Sequence, residues 1–387
     1  MPLAEQKLTL GPSSLTVFGA GSIGQLGDAV RELGGSRAFL VTDRGLAATG
    51  IVKQAAASLA AAGVELEVYS DLDPNPAAED IEAGGHALRR FGASIVVGLG
   101  GGTAIDGAKG ISLAGANRLP VRELDYRNQI PVPGFPVIAV PTTAGTGSET
   151  NSFGVIEDHA VRRKFYIGNP SVSPRRVILD PALTAGLPPG PTAATGMDAM
   201  THALESLMAR HGNPYAEALD LQVIRVVNRW LPVAFERGGD LEARSQLLLA
   251  AHLAGLAFAT TGLGLCHAIG HTLSAMLGTA HGVALAVVLP AVMELNLEER
   301  PGELARAGQV LGLAPAGSEG VASAGAAIAG VRALRQRLGL PSGLGEIGLE
   351  PGMLPELVRG TLDDIVLANN PVQPSPARLL ALLEEGL

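Results

Sequence analysis

From Ser245 to Met293 the chain carries no aspartate, glutamate, lysine or arginine. An uncharged run of that length has two homes, a bilayer or the packed interior of a helical protein. The bilayer is the poorer fit. Histidines 252, 267, 271 and 281 lie inside the run, and glycines at 255, 262, 264, 270, 278 and 282 interrupt it. No Lys/Arg bias flanks it either. The run therefore predicts buried helices packed around a histidine site.

The rest of the composition agrees. Of 387 residues, 47% are hydrophobic and 17% charged, which suits two or three folded domains rather than a disordered chain. A net charge of −9 leaves no basic cluster for counterion release, so nucleic acid is not an expected partner. Cys266 is the one cysteine, which excludes a disulfide framework. The first residues, MPLAEQKLTL, lack a basic segment followed by an apolar one. A cytoplasmic protein with no membrane partner is expected.

The first half alternates between short apolar runs and helical spacing. Leu15–Phe18, Ala38–Thr42, Val64–Tyr69, Ser94–Val97 and Pro136–Val140 read as strands, with helical spacing at 51–63 and 78–91. This pattern predicts βαβ units and a parallel sheet. Beyond Leu187, prolines 188, 189 and 191 mark a break, and helices are expected over 193–210, 214–235, 241–259, 265–277, 281–296, 301–312, 319–338, 353–367 and 375–385. The expected organisation is an α/β Rossmann-like domain at 1–186 followed by an all-α domain at 187–387.

Two glycine-rich segments compete for a phosphate. Gly19-Ala-Gly-Ser-Ile-Gly24 has the G-x-G-x-x-G spacing, with Asp43 downstream. Gly100-Gly-Gly-Thr103 follows a buried-type strand and opens a helix, where bare N–H groups suit a pyrophosphate. Asp43 suits the ribose hydroxyls of an adenosine, or equally a helix N-cap. The hydroxyl- and glycine-rich segment 141–149 suits a loop against a nucleotide.

The sharpest pattern is Asp198 and His202 at i and i+4, matched by His267 and His271 at the same spacing, with His281 ten residues on. A carboxylate and several imidazoles on apolar helices need a reason to be buried, and a divalent metal supplies one. The donor set suits Fe(II), Zn(II), Ni(II) or Co(II) better than Mg or Ca. Histidines 86, 159, 211 and 252 lack such company and read as surface or core residues; Cys266 reads as a small packed one.

These blocks together resemble the iron-dependent (group III) alcohol dehydrogenase family. In order they are FGAGSIGQL, VTDRGL, DLDPNP, GLGGGTAIDGAKG, PTTAGTGSE, RRKF, ILDPALT, AATGMDAMTHALES, GLGLCHAIGHTLSA, HGVALAVVLP and NNP. The resemblance implies the dehydroquinate synthase-like fold, with Asp198, His202, His267 and His281 as metal ligands and His271 as an extra active-site histidine. It places Gly101, Gly102 and Thr103 on the pyrophosphate, settling that contest. Asp43 and Asn75 then fall around the adenosine and ribose, and Thr142, Thr143, Val155, Lys164 and Leu183 on further cofactor contacts. NAD and Fe(II) are the implied cofactors, with Zn(II) or another divalent transition metal as a substitute. The implied reaction is reversible NAD-linked oxidation of a primary alcohol or small diol to an aldehyde. Alternatives are a maleylacetate reductase, a glycerol dehydrogenase, a hydroxyacid–oxoacid transhydrogenase, or a nucleotide-binding sensor without catalysis. The family also forms dimers through an N-terminal strand, for which residues 7–18 are available. Departures from the family pattern at Leu285, Thr272, Ser274, Val372, Val366 and Phe258–Thr261 leave the ligands intact and bear on which alcohol fits.

Overall fold

The computed structural model describes residues 14–73, 76–158 and 163–387. Asn75 and residues 7–13 of the expected N-terminal strand lie outside these. The described chain forms two compact units that are not consecutive in sequence: residues 14–187 with Gly238–His252, and Pro188–Arg237 with Leu253–Leu387.

In the first unit, β1 (Leu15–Phe18) leads through a 3₁₀ turn into α1 (Leu26–Glu32) and β2 (Arg37–Val41). Next come the short α2 (Arg44–Ala47), α3 (Gly50–Ala61), β3 (Glu65–Tyr69), α4 (Ala78–Phe91), β4 (Ile95–Gly100), α5 (Gly102–Ala116) and β5 (Val137–Pro141). A hairpin of β6 (Phe153–Asp158) and β7 (Arg163–Gly168) precedes β8 (Arg176–Leu179). Six strands form one parallel sheet in the order β1-β8-β5-β4-β2-β3, while β6 and β7 pair antiparallel on their own.

The sheet is covered on both faces, as parallel sheets require. Phe39, Val41, Val96 and Val137 enter one cluster with Ile81 and Ile111. Their neighbours Ala38, Leu40, Ile95, Val97 and Ile138 enter another with Leu26 and Leu59. Period-two alternation thus splits each strand between two cores. After β2 the chain first adds β3 on one side and then crosses to place β4 on the other. The carboxyl ends of β2 and β4 therefore flank the sheet's switch point, where open α/β sheets bind ligands.

The second unit holds α6 (Pro189–Met208) and α7 (Pro214–Glu236); the division between units falls within α8 (Leu241–Thr261). Then follow α9 (Leu265–Leu277), α10 (His281–Asn296), α11 (Pro301–Val310), α12 (Val321–Arg337), α13 (Leu354–Asp363) and α14 (Pro376–Glu385). The single helix expected over 353–367 breaks at Asp364, whose carboxylate caps a 3₁₀ turn over Ile365–Asn369. Among the described residues no single helix is long and apolar enough to cross a membrane; α8 and α9 pass together but meet at 109°. Eight of the nine α9 residues from Leu265 to Leu273 are buried hydrophobic, glycine or histidine groups, as the uncharged run predicts.

Candidate metal and dinucleotide sites

In the helical unit, glycines let three helices meet. A Cβ on Gly282 would stand 2.0 Å from the Ala194 carbonyl, so only glycine lets the start of α10 lie on the backbone of α6. Ala194 is one turn before Asp198, and His281 adjoins Gly282. On α9, a Cβ at Gly270 would fall 2.5 Å from Leu285 Cδ2 and 3.5 Å from His281 Cε1. These close approaches carry His267 and His281 up to Asp198.

Donor atoms of Asp198, His267 and His281 lie within 4.8 Å of one another. Asp198 Oδ1 is 3.7 Å from His267 Nε2 and 3.5 Å from His202 Nε2. His202 stacks on His267 with ring centroids 4.6 Å apart but stands outside the three-residue set. His271 stacks on His281 at 5.2 Å, and its Nδ1 meets Asp364 Oδ2 at 2.7 Å.

The bonding of these groups tests whether they suit a metal. Asp198 Oδ1 and His267 Nε2 are buried and make no hydrogen bond, an expensive condition that a cation bound by both would relieve. Glu205 supplies the orienting partner that metal-binding imidazoles usually have. Its Oε2 meets His267 Nδ1 at 2.5 Å while its Oε1 accepts the Cys266 N–H at 2.5 Å. Burial works against the Asp198 carboxylate, yet the imidazoles of His202, His267 and His281 hold it far below the ordinary range. Burial also pulls His267 down, but the Glu205 and Asp198 carboxylates outweigh it and raise its pKa to about 9. Nitrogen and oxygen donors in this mixture fit Fe(II) or Zn(II). Cys266 is packed, and burial followed by the Glu205 and Asp198 charges pushes its thiol pKa up, so it is no nucleophile.

In the sheet unit the two glycine segments have different fates. The first is already filled. Asp180, 1% exposed, accepts the N–H groups of Gly21 and Ile23 at 3.1 Å each. That internal carboxylate occupies the anion nest that Gly19–Gly24 would otherwise offer. At the second, Gly101 caps α5 without help from any side chain. A Cβ on Gly102 would lie 2.8 Å from Thr146 Cγ2, and one on Gly101 3.3 Å from Thr143 Cγ2, so the bare backbone here packs closely on the loop after β5. Gly101, Gly102, Thr103 and Thr143 keep partial exposure, while Thr142 is buried and donates its N–H to Gly100.

Asp43 is the N-cap of α2. Oδ1 accepts the Leu46 N–H at 2.8 Å as the cap of α2, and Oδ2 lies 3.5 Å from where a Cβ on Gly100 would stand. Val155 and Lys164 sit on the β6–β7 hairpin, both partly exposed, with Val155 opposite Tyr166 and Lys164 opposite Glu157. Leu183 is 4% exposed and packs into the core with Ile23 and Leu26. His252 has company that the sequence hid: Nδ1 meets the buried Glu149 Oε1 at 3.0 Å.

Sequence reasoning passed over Glu205, Asp364 and Asp180. Glu205 was findable, since it is the acidic residue three positions after His202 on an apolar helix. Asp364 lies 93 residues from His271 and gives no local signal.

A bare glycine helix start beside an acidic residue at a sheet switch point, together with a buried aspartate–histidine cluster, is an arrangement suited to metal-dependent, dinucleotide-linked oxidoreductases. Comparison with known proteins narrows this. Residues 13–181 match the iron-containing alcohol dehydrogenase family, and 192–387 match the C-terminal part of the Fe-containing alcohol dehydrogenase family. The NAD-dependent methanol dehydrogenase of Bacillus methanolicus is 33% identical over 356 residues, 92% of this chain and 93% of that one. The 1,3-propanediol dehydrogenase of Klebsiella pneumoniae is 34% identical over 96% of this chain and 97% of its own length. A crystal structure of a 1,3-propanediol oxidoreductase superposes with a TM-score of 0.95 at 33% identity, covering 99% of this chain and 100% of that one. The chain belongs to the iron-containing alcohol dehydrogenase family.

Proposed function

We propose that the protein catalyses reversible, NAD-linked, metal-dependent oxidation of a primary alcohol or small diol to an aldehyde. The observation that carries this is the buried pair Asp198 Oδ1 and His267 Nε2, unbonded, in a set with His281 whose donor atoms lie within 4.8 Å of one another. Asp198, His202, His267 and His281 would hold Fe(II), or Zn(II) in its place. The bound metal supplies Lewis acidity toward an alcohol oxygen and NAD the hydride acceptor.

The chain's own residues prepare that chemistry. Glu205 keeps His267 in the tautomer whose Nε2 is free to bind. His271, held through Nδ1 by Asp364, is the candidate to take the hydroxyl proton. Phe258 stacks on His202 at 4.6 Å and provides an apolar wall suited to a short carbon chain. The N–H groups at Gly101, Gly102 and Thr103 would take the pyrophosphate, and Asp43 the adenosine ribose. Thr142, Thr143, Val155, Lys164, Leu183 and Asn75 complete the proposed cofactor contacts. The related substrates of the relatives, methanol and 1,3-propanediol, support a small alcohol.

Asp198→Ala and His267→Ala are expected to remove the metal and abolish turnover while NADH binding, read by nicotinamide fluorescence, persists. Turnover by either variant would refute the assignment. We further propose a homodimer acting in the reducing cytoplasm, where a lone buried cysteine needs no partner; cell fractionation reads the compartment directly.

A further inference from the structure

The Asn-Asn-Pro block at 369–371 has no place in the reading above, yet its second asparagine is 2% exposed and reaches the helix that carries His267. The first turn of a helix leaves N–H groups without partners, and Gly264, the cap residue of α9, has no side chain to take one. Two remote side chains do so instead. Asn370 Oδ1 accepts the Leu265 N–H at 3.2 Å, and Glu205 Oε1 takes that of Cys266, the residue before His267. A Cβ on Gly264 would stand 2.7 Å from Asn370 Oδ1 and 3.2 Å from Glu205 Oε1, so both caps close directly on bare backbone. The loop before α9 fits the same segment. A Cβ on Gly262 would come 2.2 Å from Asn369 Nδ2, and the Arg210 N–H donates to the Asn369 carbonyl at 2.8 Å. Asp364, at the other end of this short stretch, already holds His271.

Asn370 is itself fully committed. Its Oδ1 also accepts Asn296 Nδ2 at 3.0 Å, while its Nδ2 donates to Asn296 Oδ1 at 2.8 Å and to the Val372 carbonyl at 2.7 Å. The two amides face each other reciprocally. The Leu265 N–H and the Val372 carbonyl, whose polarity is fixed, decide which way round Asn370 stands. Asn296 is wholly buried and is the last residue of α10, the helix that begins with His281. One amide pair thus joins the start of the His267 helix to the end of the His281 helix. Burying two amides gains little stability, because each exchanges water for these bonds. A fully satisfied buried network specifies a single geometry instead. Geometry is what a metal demands, since ligand distances must hold to within about 0.2 Å.

We propose that Asn370, braced by Asn296, is a positioning residue for the metal: it fixes the start of α9 so that His267 meets Asp198 and His281, without touching the metal itself. This rests on the metal reading above. The probe is Co(II), titrated into the metal-depleted full chain, because its visible bands report the geometry of the ligands around it. Asn370→Ala is expected to raise the Kd for Co(II) about tenfold or more, the scale of losing a ligand's support. The positions or intensities of the visible bands should change in the same variant, while the Kd for NADH, read by nicotinamide fluorescence, stays within about twofold of the parent's. A merely structural asparagine would lower the thermal midpoint and leave the bands as they were, and that outcome overturns the proposal. A parallel loss of NADH affinity marks general damage and overturns it equally. Should Asn370→Ala not fold, Asn296→Ala breaks the amide pair but leaves the Leu265 N–H its acceptor. It should raise the Kd for Co(II) at least threefold with altered bands; anything less overturns the proposal. The parent separates the two readings. No cobalt bands there would defeat the metal reading and this inference with it, whereas parent bands that persist unchanged in the variants would defeat only the positioning role.

Discussion

Asp43 leaves β2 at the switch point with one oxygen on the α2 backbone and the other beside Gly100. A carboxylate in that place attracts ribose hydroxyls and repels a 2′-phosphate. The protein is therefore expected to use NAD with at least tenfold higher kcat/KM than NADP. Asp43→Ala should narrow the gap while losing about 0.5–2 kcal/mol of cap stability. Equal efficiencies in the parent would contradict the role. The candidate metal donors were legible as residues because histidines and an aspartate stand out in apolar helices. Asp180 was not, since its target N–H groups lie some 160 residues upstream, and no local pattern reveals a carboxylate that fills a turn so remote.

Element by element, periodicity located most helices to within a few residues, and the starts of α9 and α10 agree with the expectation. The β6–β7 hairpin escaped, although Phe153–Asp158 alternates between partly exposed and buried positions. Gly154 within that short run, with Asn151 and Ser152 just before it, masked it. Packing between elements is where sequence was silent and the consequences are largest. At Gly282 even a methyl meets backbone rather than a movable side chain. Gly282→Ala is expected to push α10 off α6 and destabilise the protein by about 1–3 kcal/mol. His281 would move with it, so metal retention against a chelator should fall in the same variant. A normal melting temperature with full metal content would show that the helices do not depend on this contact.

At the scale of the whole molecule, β1 ends the sheet among the described residues, beside β8, with Leu15 58% and Phe18 45% exposed. An open edge with apolar side chains invites strand pairing with a second copy. Light scattering is expected to return twice the chain mass at micromolar concentration; a monomer there would exclude the edge as a dimer contact. The division into units also has its own lesson. Sequence character changes at Leu187, but Gly238–His252 folds with the sheet. Composition cannot distinguish a helix packed on a sheet from one packed on helices, since both bury the same apolar stripe.

What the amino-acid order determined by itself were the local events: alternating strands and helices, the glycine opening of α5, and histidines stranded in a region without charge. Each follows from dihedral preference or hydrophobic spacing within a few residues. Only the tertiary structure decided that Asp180 fills the first glycine turn and which carboxylates face His267 and His271. Those outcomes depend on groups far apart in the chain meeting at hydrogen-bond distance, and short-range propensity carries no record of such meetings.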